Sequence, residues 1–63
     1  MTDYTVFVSM NIDGIRRVFI YTLESLGGAT IFFNKVTKDR DVINALLIGP
    51  NGHVFVEYEA ENV

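Results

Sequence analysis

The dipeptide Asp13-Gly14 lies between two nine-residue runs of alternating, strand-favouring side chains, Tyr4–Ile12 and Ile15–Leu23. A two-residue loop of this kind joins antiparallel strands through a type I′ turn, which needs positive φ at both central positions. Asp and Gly tolerate that conformation better than most residues. The turn sets the register, with Ile12 opposite Ile15, Met10 opposite Arg17, Val8 opposite Phe19 and Val6 opposite Tyr21. Cross-strand partners share a face, so one face of this hairpin is apolar apart from Arg17. The other sets Thr5, Phe7, Ser9 and Asn11 against Arg16, Val18, Ile20 and Thr22. It is too apolar for an ordinary solvent face.

Beyond the hairpin, Glu24-Ser25-Leu26-Gly27-Gly28 breaks the alternation and reads as a loop. Thr30–Val36 is predicted as a third strand, with Phe32 and Phe33 on opposite faces. Lys38-Asp39-Arg40-Asp41 is a charged connection. Val42–Ile48 fits two descriptions. As a helix over residues 39–48, it has Asp39 as a cap, Gly49-Pro50 as a stop, and a stripe of Val42, Ile43, Leu46 and Leu47. As a strand, it leads through a type I turn at Pro50-Asn51-Gly52, with Gly52 left-handed, into His53–Glu59. That hairpin would set Ile48 against Val54 and Leu46 against Val56. Turn chemistry and a ready partner favour the strand. Along His53–Glu59, alternation points Val54, Val56 and Tyr58 one way and Phe55, Glu57 and Glu59 the other. Residues 60–63 read as a frayed tail. The expected fold is a single mainly β domain over residues 1–63, an antiparallel meander sheet of four to five strands. The alternative is α+β, with residues 39–48 helical.

Size makes such a sheet hard to sustain alone. A chain of 63 residues buries only about 60% of the surface its unfolded form exposes. Disulfides, a metal or a second subunit usually supply the missing stability. The chain has no cysteine, so disulfides and thiolate metal sites are excluded; its one histidine cannot build a zinc site alone, and no cofactor is expected. A second subunit remains. The start, Met1-Thr2-Asp3-Tyr4, has no basic region ahead of an apolar run. The apolar run Ala45–Ile48 is far shorter than the roughly 20 residues that cross a membrane. The expectation is a cytoplasmic protein without membrane contact.

Catalytic chemistry has little to build on. His53 is the only imidazole, and a general base needs an oriented partner. Ser9 and Ser25 would need His53 within reach to act as nucleophiles. The carboxylates of Asp13, Glu24, Asp39, Asp41, Glu57 and Glu59 fall mainly at turns and on one strand's outer face, where carboxylates are ordinarily solvated. The glycines form no phosphate-binding motif. A non-enzymatic protein is expected.

Charge is segregated along the chain. Arg16, Arg17, Lys35, Lys38 and Arg40 all fall between positions 16 and 40, against only Glu24 and Asp39, for a local charge of +3. A sheet showing Arg16 beside Phe7, with Lys35 nearby, suits single-stranded nucleic acid, which binds by stacking and phosphate contact. The pI of about 4.7 is the reverse of that class's basic footprint. Nucleic-acid binding therefore stands as the alternative.

The surplus of apolar side chains points elsewhere. Once one face is assigned to a core, Phe7, Val18, Ile20, one of Phe32 or Phe33, and Phe55 are left over. Contiguous exposed apolar surface marks interaction sites. As an edge, Tyr4–Ile12 would carry no proline or lysine to block pairing with another chain. The expected function is a small homodimeric module that binds another protein. Phe7, Val18, Ile20 and Phe55 are the candidate contacts for self-association or partner. Tiny acidic β proteins of this kind suit inhibitor or adaptor roles, phage-encoded ones among them.

Overall fold

The computed structural model describes residues 3–60, which form β1 (Tyr4–Ile12), β2 (Ile15–Leu23), α1 (Leu26–Val36), β3 (Val42–Ile48) and β4 (Val54–Glu59). The strands make one antiparallel sheet in the order β2-β1-β3-β4. This is the mainly β class expected, with four strands and one short helix. The order is not that of a meander. β1 lies inside the sheet, so it is not an edge strand; the edges are β2 and β4.

The first hairpin forms in the register that its turn demands. Asp13 and Gly14 have φ of 54° and 79°, both left-handed as type I′ requires. Pairing then runs unbroken from Ile12↔Ile15 to Tyr4↔Leu23. The second hairpin also uses its turn residues. The Gly52 N–H donates to the Gly49 carbonyl at 3.0 Å, and Gly52 has φ 84°, a type I turn with Pro50 at its preferred position. Its register departs from strict alternation. Ile48 pairs with Val54 as expected, but Leu47, not Leu46, pairs with Val56, because the ladder shifts between Leu47 and Ile48.

Two expectations for the middle of the chain are overturned. Gly27-Gly28 is not a loop and Thr30–Val36 is not a strand, since both belong to α1. The cause is topological. β2 and β3 are both antiparallel to β1 and flank it, so they run parallel to each other. Their connection must cross the sheet from end to end, which a tight turn cannot do and a helix can. Ser25 caps that helix, its Oγ accepting from the Gly28 N–H at 3.0 Å. Ala29, Phe32, Phe33 and Val36 then fall at i, i+3, i+4 and i+7, the spacing of one helical face; Ala29 and Phe33 are buried, and Phe32 and Val36 pack against them. The alternative helix at 39–48 does not form. Asp39 instead holds the turn into β3: its carboxylate accepts from the Asp41 N–H at 2.9 Å, and its carbonyl from the Val42 N–H at 3.2 Å.

The core lies between α1 and one face of the sheet. It contains Val6, Val8, Ala29, Phe33, Val42, Ala45 and Leu47, with Tyr4, Met10, Leu23 and Tyr58 against it. Tyr21 meets Phe32 edge-on, ring centroids 4.7 Å apart, joining the helix to β2. The Ala60 N–H donates to the Ile43 carbonyl at 2.9 Å; the rest of the predicted tail, residues 61–63, lies outside the described residues. Among the described residues, no helix is long and apolar enough to cross a membrane.

Candidate interaction surface

Alternation carries a second set of apolar side chains to the face that α1 does not cover. The registers align Ile20, Phe7, Leu46 and Glu57 in one row across the sheet, and Val18, Ser9, Asn44 and Glu59 in the next. A third row runs Thr22, Thr5, Ile48 and Val54. Val18 and Ile20 are 58% and 60% exposed, while Phe7, Leu46 and Ile48 are half-buried beside them. The result is an apolar patch on β2, β1 and β3. Arg16 flanks it on β2, and Glu57 and Glu59 flank it on β4.

Of the four candidate contact residues, Phe7, Val18 and Ile20 come together here; Phe7 pairs directly with Ile20. Phe55 lies elsewhere. Its ring packs against Tyr4, centroids 6.0 Å apart, and that tyrosine belongs to the helix-side cluster. Phe55 is the residue left unpaired where the β3–β4 ladder shifts, so simple alternation does not govern its direction. A Cβ on Gly49 would come within 3.3 Å of the Phe55 ring, so the missing side chain makes room for that aromatic. Leu46 and Ile48 complete the patch. They were hidden in an apolar run whose alternation has meaning only once β3 is known to be a strand.

The five cations do not converge. Arg16 and Arg17 pair with Asn11 and Met10 on opposite faces. Lys35 lies in the last turn of α1, where a cation favours the helix dipole. With Met10, Tyr21, Phe32 and Asp39 it lines a shallow hollow beside the helix. Lys38 and Arg40 lie in the α1–β3 connection. Phe7 shares the open face with Arg16 alone among these.

The candidate catalytic groups are also apart. His53 is exposed and packs edge-on against Phe55, centroids 5.1 Å apart. Ser9 lies two rows along the sheet from the turn that carries His53. The Ser25 hydroxyl serves the helix cap. Among the described residues, no three His, Asp or Glu side chains gather as a metal site would need. Comparison with protein-family models, curated proteins and solved structures gives no match.

Proposed function

We propose that this protein is a small, non-enzymatic, homodimeric interaction module that binds another protein, as an inhibitor or adaptor, through the helix-free face of its sheet. The observation that carries this reading is the patch of Phe7, Val18 and Ile20 with Leu46 and Ile48. Val18 and Ile20 are the most exposed apolar side chains on the sheet. Leaving them in water forgoes on the order of 25 cal/mol for every Å² of apolar surface, a cost that an apolar partner removes. The flanking charges, cationic at β2 and anionic at β4, form the polar rim that interfaces carry. Self-association fits a chain with little material to cover its own second face.

Affinity capture from the native host's lysate tests the partner. The wild type, Ile20→Glu and Ile31→Glu are compared; Ile31 is 69% exposed and lies on α1. A protein retained by the wild type and by Ile31→Glu, but lost with Ile20→Glu, supports the reading. Equal retention by all three removes the open face as the site.

A further inference from the structure

The two sheet edges differ in a way that selects a partner for one of them. β4 is short, its ladder with β3 is shifted, and it carries Glu57 and Glu59. Those are the usual guards against edge pairing. β2 is nine residues long, is regularly paired with β1 throughout, contains no proline, confines its charges to Arg16 and Arg17 at its start, and is exposed at seven of its nine residues. We propose that two copies pair antiparallel along β2, about a two-fold axis through Phe19, to form one continuous sheet. This rests on the homodimeric part of the reading above and adds how the two copies meet.

The backbone permits this register. A two-residue type I′ loop is closed by a hydrogen-bonded pair, here Ile12 and Ile15. Hydrogen-bonded and wide pairs alternate along an antiparallel ladder, so Arg16, Val18, Ile20 and Thr22 form wide pairs with β1. Their N–H and C=O groups therefore point outward. The opposite strand agrees: Asn11, which pairs with Arg16, sends its N–H away from β2 to the Asp41 carbonyl at 2.9 Å. Pairing centred on Phe19 sets Val18 against Ile20 of the second copy, and Arg16 against Thr22. All four are outward-pointing residues, so their backbone groups satisfy one another.

Charge selects the antiparallel sense. β2 begins with Arg16 and Arg17, and Glu24 follows its other end. Antiparallel pairing brings Arg16 diagonal to Glu24 of the second copy, twice by symmetry, at a separation of about 7–8 Å that long side chains span. Arg17 falls opposite Tyr21 of the second copy, a cation beside an aromatic face. Parallel pairing would set arginine beside arginine. The Phe19-centred pairing also joins the two Val18–Ile20 patches at the two-fold axis, so the open faces become one wider apolar surface.

Analytical ultracentrifugation of the full chain tests the pairing, with circular dichroism as a check on folding. The wild type is expected to be a dimer. Thr22→Pro removes an outward N–H that the monomer's own ladder does not use, and is expected to sediment as a folded monomer. Arg16→Glu and Glu24→Arg each weaken dimerisation on the order of tenfold, and the double reversal restores it, because each charge meets its opposite across the axis. A folded Thr22→Pro dimer of wild-type affinity overturns the edge pairing while leaving a homodimer by another surface. If Thr22→Pro does not fold, the charge reversals decide, and unchanged affinity in both overturns the pairing. A wild type that stays monomeric at millimolar concentration overturns both the pairing and the homodimer.

Discussion

The two faces of this sheet are made by the same strands and meet opposite fates. On the helix side, Val6 and Leu47 are fully buried and Val8 is 1% exposed. On the other side, Val18 and Ile20 keep more than half their surface in water. Composition does not separate them, since both faces are rich in branched and aromatic residues. What separates them is that the chain makes a single helix among its described residues, and a helix covers one face. A small chain that patterns both faces for burial has material to close only one of them internally, and the other stays exposed.

The sharpest way to break the contrast is to weaken the covered face. Leu47→Ala leaves a cavity between α1 and the centre of the sheet, and is expected to cost about 2–5 kcal/mol in urea denaturation. For a domain of this size that is a large part of its stability. A loss below about 1 kcal/mol would mean that the helix does not seal that face. Next comes the turn that decides which residue faces which side. Gly14→Ala places a Cβ at φ 79°, and is expected to lower stability by about 1–2 kcal/mol. A substitution without effect would argue against the type I′ turn and the register built on it.

The helix cap acts on the covered face indirectly. Ser25→Ala removes the acceptor for the Gly28 N–H and should cost about 1 kcal/mol, read from the thermal midpoint. Ser25→Asp should keep most of the wild-type stability, because an aspartate caps as well as a serine. The smallest effect is expected on the open face. At dilutions where the chain is monomeric, Ile20→Glu should change folding stability by no more than about 0.5 kcal/mol. A much larger loss would show that the patch is already buried within one copy, and the contrast between the faces would collapse.

The legible parts of the fold were those governed by neighbours in sequence. Asp13-Gly14 specified the first hairpin and its whole register because turn geometry and strand pairing are coupled within a few residues. Gly49-Pro50-Asn51-Gly52 specified the second turn in the same way, and Ile48↔Val54 followed from it. The register was lost one residue later, where the ladder shifts between Leu47 and Ile48. A bulge answers to packing against Gly49 and Tyr4, which local turn chemistry does not register. Phe55 therefore departs from the alternation that would place it with Glu57 and Glu59.

The Thr30–Val36 segment teaches a second lesson. Its β-branched and aromatic residues favour a strand, and two glycines precede it, each unfavourable in a helix by about 1 kcal/mol relative to alanine. Local preference lost to a longer-range need, a connection that crosses the sheet while covering its core. The helical signal was present as Ala29, Phe32, Phe33 and Val36, with Ser25 in capping position. Three of the four candidate contact residues on the open face were legible for the same reason as the hairpin: Phe7, Val18 and Ile20 lie within its register. Leu46 and Ile48 were not, because their direction depends on β3 pairing with β1 across a long stretch of chain.

By itself, then, the sequence determined the first tight turn and the alternation of its hairpin, favoured the mainly β class and the second turn over a helix at residues 39–48, and held an apolar surplus greater than one core can absorb. These follow from backbone sterics and from the two-residue period of a strand, which act over a few residues. Only the tertiary structure decided that β1 lies at the centre, that β2 is a long free edge, and that residues 26–36 are helical. Strand order and crossover are settled by contacts between distant segments, where burying one face of the sheet outweighs local preference.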